Sequence, residues 1–247
     1  MRIFLTLLLR EIYSYLLSPI AYVLGCLFLF VMGLLFSYMV NAIASQPQTD
    51  SVTYFFFSTF WIPGLIIPSI ITMRLFSEEK KSGTVEMLMT APVTEWQVTM
   101  AKFLGALCIY STMWIVTILY VIILRYNVTN PEVLEVRTFF TAYLFILLNS
   151  ALLIAAGTWA SSLTRNQIIA AIISFVFSFV ILLIPELLVG ALKGNHFGEV
   201  IQSFSAFTHI GQFANGIIEV QPVVFYLTGT FFFLFGTVTI LESRKWK

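Results

Sequence analysis

The sequence predicts an all-α integral membrane protein with six transmembrane helices. Of its 247 residues, 59% are hydrophobic and only 10% charged, whereas a soluble domain carries about 25% charged residues. Mean hydropathy is +0.94. The few charges punctuate the chain into six apolar intervals, each able to hold the roughly 20 residues that a spanning helix needs. A net charge of +1 and a pI near 7.7 create no basic field, which argues against nucleic acid as a partner.

The first expected element is not a span. Arg2, Thr6, Arg10, Ser14 and Ser18 recur every fourth residue, with Ile3, Phe4, Leu7, Leu8 and Ile12 among the apolar remainder. This pattern predicts an amphipathic helix over 1–17, lying in the membrane interface. A ragged start to one long first helix is the alternative. Arg10 and Glu11 interrupt the stretch and no small-x-small cleavage site follows, so no removable signal peptide is expected. Ser18-Pro19 marks a turn, since the residue before proline resists the α conformation. The first span then covers 20–43.

The second span is expected over 53–76, kinked or loosened by Pro63-Gly64 and Pro68. A cytoplasmic loop follows over 77–93. Gly83 should break the helix that leaves the second span, and Thr84 can cap a new one running from Val85 to Thr90 and stopping before Pro92. Val85, Met87, Leu88 and Met89 need cover, from a partner or from lipid headgroups, and methionine suits a surface that repacks. Thr94-Glu95-Trp96-Gln97 fits a capping box, with Val93 and Val98 at the hydrophobic-staple positions. The third span therefore starts there and covers 95–124. Lys102 falls about 7 to 8 Å beyond Gln97 at ~1.5 Å per residue, close enough to the helix end to snorkel toward the headgroups.

The fourth span is expected over 138–163. Asn149 precedes Ala151, Ala155, Gly157 and Ser161, small residues that permit close helix approach. Asn149, Ala155, Gly157 and Ser161 are candidates for lining a subunit interface or a substrate path, and packing within one bundle is the competing reading. The fifth span covers 166–185 and the sixth 222–241. Between them, 186–219 forms an external loop. Its Val200 to Ile218 stretch holds Gln202, Thr208, His209, Gln212 and Asn215, too polar for a span and suited to short interfacial or re-entrant helices.

Orientation follows from the enrichment of lysine and arginine in cytoplasmic loops. With six spans and both termini in the cytoplasm, only Arg125, Arg137 and Lys193 of the thirteen lie outside. The two cysteines, Cys26 and Cys108, sit in apolar runs without metal or disulfide spacing. His196 and His209 belong to the external loop, where solvated or capping roles suit them better than metal binding. The sequence lacks a G-x-x-x-x-G-K-[ST] phosphate loop, so no ATP site is expected on this chain.

The run from Glu78 to Val93, EEKKSGTVEMLMTAPV, together with Lys102, resembles the type-2 ABC transporter permeases (the ABC-2 family). The likeness is nearest to the subgroup that includes the nitrous-oxide-reductase maturation and gliding-motility-associated permeases. Arg10 to Tyr15, Ser18 to Tyr22, Phe204 to His209 with Asn215-Gly216, and Leu241 to Trp246 agree with it, so the resemblance spans 1–247 as one transmembrane domain. It implies that 77–93 carries a coupling helix that docks on a cytoplasmic ATPase subunit through Glu79, Gly83, Thr84, Val85, Glu86, Met87, Leu88, Met89 and Pro92. It makes 1–17 the family's elbow helix, with Arg2, Arg10 and Glu11. It implies a permease subunit in the bacterial cytoplasmic (inner) membrane, paired with a second copy or a related permease and driving export. ATP and Mg would sit on the partner ATPase, and no cofactor on this chain. The alternative is a force-transmitting subunit that relays ATPase motion to an extracytoplasmic accessory protein without moving a solute.

Overall fold

The computed structural model describes residues 2–45, 52–84, 93–127, 136–192 and 196–243. Among them all regular structure is helical. Helix α1 (Arg2–Leu16) ends in a turn at Leu17 and Ser18, and α2 (Pro19–Ser45) starts on the proline. The first helix is thus separate from the first span rather than its ragged beginning. Proline fits there because an N1 residue needs no N–H donor.

Five helical runs are long and apolar enough to cross a membrane: Pro19–Asn41, Glu95–Ile123, Val136–Leu163, Gln167–Ala191 and Val220–Ser243. The remaining expected span, the second, is not one continuous helix. It is divided into α3 (Val52–Phe57), a 3-10 turn (Ser58–Phe60) and α4 (Trp61–Thr72). Pro63 has no N–H to give the carbonyl four residues back, and the ladder tightens just before it. The chain stays helical through Pro68, so the break lies upstream of where the two prolines and Gly64 predict a kink. Beyond Thr72 the chain turns and re-enters helix as α5 (Ser77–Ser82).

Helix α6 (Glu95–Val116) opens with the expected capping box: Thr94 Oγ1 accepts from Gln97 N and Gln97 Oε1 accepts from Thr94 N, both at 3.3 Å. A turn at Thr117 leads into α7 (Ile118–Asn127). Helix α8 (Val136–Leu163) is the fourth span and α9 (Gln167–Ala191) the fifth. The fifth runs past the expected stop at 185 and keeps Pro185 inside the helix, where the acidic Glu186 accepts from Ser205 Oγ at 2.6 Å. The external stretch folds into the short helices α10 (His196–Gln202) and α11 (Ala206–Ala214), and α12 (Val220–Ser243) is the last span.

Helix α8 is the axis of the bundle. It packs against α12, α9, α4, α11 and α6 and is mostly buried, whereas α2, α9 and α12 expose long apolar faces. A mostly buried helix surrounded by helices with apolar outer faces is a bundle solvated by lipid. The divided second span and α8 run in the same direction. Near their starts Thr53 and Thr138 hydroxyls meet at 3.1 Å, and at their ends Ser161 Oγ accepts from Phe76 N and Ser77 N.

Candidate functional site

The structure concentrates polar contacts where the second span ends. Helix α5 begins without a cap from its own residues, leaving amide N–H groups that must find partners. Ser161, from α8, supplies one. Its Oγ accepts from Phe76 N at 3.0 Å and Ser77 N at 3.1 Å and donates to Met73 O at 3.2 Å. Lys80 is buried and its Nζ donates to the Ser162 carbonyl. At the other end of α5, Gly83 adopts φ +74° as a left-handed C-cap, the helix stop expected from the sequence. Thr84 Oγ1 lies 2.9 Å from Ser82 Oγ. Val85, Glu86, Met87, Leu88, Met89 and Pro92, and with them the expected coupling helix, lie outside the described residues.

Two turns inside α6, Lys102 does not snorkel. Its side chain is 4% exposed, and Nζ lies 2.8 Å from Glu79 Oε1 and 3.0 Å from Glu11 Oε1. Arg10 Nη2 stands 3.9 Å from the same Glu79 oxygen, and the Phe76 ring lies 5.4 Å from the ammonium. Helices α1, α5 and α6 therefore meet at one ammonium group. The reason is dielectric: a lysine this deep costs less when paired with carboxylates than when stretched toward water past an apolar helix. Glu11 reaches it because α1 docks on α6 so closely that a Cβ at Gly105 would come 3.0 Å from Glu11 Cβ. Tyr15 adds a tie to the second span by donating to the Ile71 carbonyl at 2.9 Å. Arg10 is on the exposed side of α1, beside the uncovered Leu9 and Tyr13, while the side chain of Arg2 lies outside the described residues.

Asn149, Ala155, Gly157 and Ser161 are all buried within this single chain. Their cover comes from the chain's own helices. At Gly157 the approach is closest: a Cβ there would lie 2.1 Å from Thr72 Oγ1 and 2.7 Å from Ser174 Oγ, so α4, α8 and α9 meet at that glycine. Asn149 Oδ1 is buried with no hydrogen-bond partner among the described residues. Leu153, Ile154, Ala155 and Ala156 fill the neighbouring layer without exposure, so mid-bundle α8 is packed with apolar side chains.

At the opposite end, the segments expected outside come together. Arg137 Nη2 donates to the Gly216 carbonyl at 2.9 Å, and Thr141 Oγ1 donates to that of Phe213. His209 is 2% exposed and bridges Tyr226 Oη through Nδ1 and the Ser203 carbonyl through Nε2, each at 3.1 Å. The carbonyl fixes the tautomer: Nε2 carries the proton and Nδ1 accepts from the tyrosine. The histidine is thus a capping one, as expected, but buried rather than solvated. Burial lowers its pKa below 6.5, opposed in part by the Ser203 bond and by Glu219.

Sequence reasoning missed Lys80, Ser162 and the partners of Lys102. The available signal was Lys102 itself, a cation in an apolar run whose i−4 and i+4 neighbours, Val98 and Ala106, offer no counter-charge. A charge so placed calls for a partner from another helix.

A multi-helix bundle with lipid-facing outer surfaces and a charged junction at one end defines a polytopic membrane protein. The sequence profile of the ABC-2 family transporter protein matches residues 34–241. The chain belongs to that family, and is a multi-pass membrane subunit of an ABC transporter. Membership implies a cytoplasmic ABC ATPase as partner and no nucleotide-binding domain on the membrane subunit. No curated protein matches the chain.

Proposed function

We propose that the chain is a six-span half-transporter whose 77–93 loop receives the stroke of a separate ATPase and passes it into the bundle through α5. The observation that carries this reading is the junction at Lys102, where Glu79 of α5 and Glu11 of α1 meet α6. The Ser161 cap and the Lys80 contact tie α5 to α8 as well. A displacement at Gly83 therefore cannot move α5 without loading α1, α6 and α8. The divided 52–72 stretch is the second of the six spans, and α1 is the elbow helix. Both termini lie in the cytoplasm, ATP and Mg stay on the partner, and two copies or one copy and a related permease complete the transporter. The apolar filling around α8 supports an export path that runs between subunits rather than through one of them.

One observation also supports the force-relay reading. Glu186 of α9 holds Ser205, and Tyr226 of α12 holds His209, so the outer helices α10 and α11 ride on the fifth and sixth spans. Movement there would reach an extracytoplasmic partner without a solute. The likeness to the nitrous-oxide-reductase maturation and gliding-motility-associated subgroup belongs with this reading.

The test is purification of the full chain in mild detergent with its companions, followed by reconstitution into vesicles. A P-loop ATPase should co-purify. Glu86→Ala with Met87→Ala should leave insertion intact and abolish stimulation of that ATPase by the membrane subunit. Full stimulation with both substitutions would remove the loop from the coupling route.

A further inference from the structure

A cavity of about 390 Å³ opens between α1, the start of α2, the end of the second span and α6. Its rim is polar, with Arg10, Ser14, Ser18, Arg74 and Glu78, and its deeper wall is apolar, with Leu24, Ile70, Ile109 and Met113. Two of its carboxylates, Glu11 and Glu79, are taken by Lys102, with Arg10 beside Glu79. Arg74 is different. Among the described residues its buried Nε has no hydrogen-bond partner, and no carboxylate comes within ion-pair range of it. Glu78 shares the cavity but is exposed, where water and salt screen it. A buried guanidinium nitrogen left unmatched costs free energy until an acceptor reaches it, and an anionic acceptor also answers the charge.

We propose that this cavity holds the phosphate of an anionic phospholipid, gripped by Arg74 with the Ser14 and Ser18 hydroxyls, with an acyl chain along Leu24, Ile109 and Met113. Three features select an amphiphile over a small anion. The cavity lies where α2 begins at Pro19 and where the second span ends, hence at the boundary of the hydrocarbon layer. It joins a polar rim to an apolar wall, and its volume suits a headgroup with the first part of a chain. Arginine is the side chain whose planar fork matches a phosphate in two bonds, and basic pockets between spanning helices are sites where lipid headgroups bind. The inference rests on the membrane-spanning fold alone and stands whether or not the loop couples to an ATPase. A lipid seated there would brace α1 against α2 and α6 beside the Lys102 junction.

The experiment is native mass spectrometry of the full chain in mild detergent, titrated with phosphatidylglycerol or phosphatidylcholine. The wild-type chain should retain phosphatidylglycerol in preference. Arg74→Gln should weaken that retention about tenfold, the size expected for losing a charged hydrogen-bonded pair, while Arg125→Gln leaves it unchanged. Ser14 is exposed, so Ser14→Glu keeps Arg74 and the fold while adding a repelling carboxylate. It should cause a similar loss. Equal retention of the two lipids, or equal loss in Arg74→Gln and Arg125→Gln, overturns the proposal. So does displacement of the lipid by millimolar inorganic phosphate, which would make the site one for the free ion. Loss of a co-purifying ATPase in Arg74→Gln with lipid retention unchanged overturns it too, assigning the cavity to a protein carboxylate.

Discussion

Glu79 and Lys102, twenty-three residues apart in sequence, meet at 2.8 Å where α5 crosses the third span. The contact joins the segment leading to the cytoplasmic loop to a helix that crosses the membrane. Glu11 completes the group from the N-terminal helix at 3.0 Å.

Removing the cation should be more harmful than removing the whole group. Lys102→Met strands two carboxylates that are 14% exposed, and breaking such a buried pair costs about 3–5 kcal/mol. The triple change Glu11→Gln, Glu79→Gln, Lys102→Met leaves no buried charge and should recover most of that loss. Thermal unfolding of the detergent-solubilised chain, followed by size-exclusion fluorescence, checks both.

Ser161→Ala removes the acceptor for two amides, at Phe76 and Ser77. Leaving a buried donor unmatched costs about 1–3 kcal/mol. The variant should melt earlier and exchange the α5 amides faster in hydrogen-exchange mass spectrometry, with the Arg137 end of the bundle unchanged.

Gly157→Val is expected to fail at assembly rather than at coupling. Its Cβ would fall 2.1 Å from Thr72 Oγ1, a distance that requires α4 or α8 to move. Loss of the monodisperse size-exclusion peak is the readout. Gly83→Ala, by contrast, meets open space but keeps φ +74°, at about 1–2 kcal/mol for a left-handed residue. It should insert normally and lose ATPase stimulation.

The external helices carry a pH dependence of definite sign. His209 has a lowered folded pKa against 6.5 when unfolded, so below 6.5 the unfolded chain binds more protons than the folded one. The stability it contributes is complete above about pH 6.5 and declines as pH falls toward the lowered folded value. The acidic groups facing it are Glu199 and Glu219, which line the same outer cleft. Melting temperature should therefore fall between pH 7.5 and pH 5 more steeply in wild type than in His209→Gln, whose amide can still donate to Ser203.

Features fixed by neighbours in sequence were legible in it. The Thr94 and Gln97 capping box, the stop at Gly83 and the turn before Pro19 each depend on residues within one helical turn. The divided second span was half legible: the prolines announced a disturbance, but its place followed from the N–H that Pro63 lacks. Lys102 suggests snorkelling in sequence because its partners are distant along the chain, Glu11 on one side and Glu79 on the other. In sequence Ser161 is a small residue suited to a subunit interface, a path or close packing, since capping the start of α5 needs the third dimension. In a chain this apolar, polar contacts between helices carry most of the specificity and little of the sequence pattern.

The most direct test of the account is a double-mutant cycle on ATPase stimulation in reconstituted vesicles, pairing Glu86→Ala/Met87→Ala in the loop with Glu79→Gln/Lys102→Met in the junction. If the stroke enters at the loop and leaves through the junction, each half alone abolishes most of the stimulation and the combination adds almost nothing. Additive losses, or a junction variant that still stimulates the ATPase as wild type does, would contradict it.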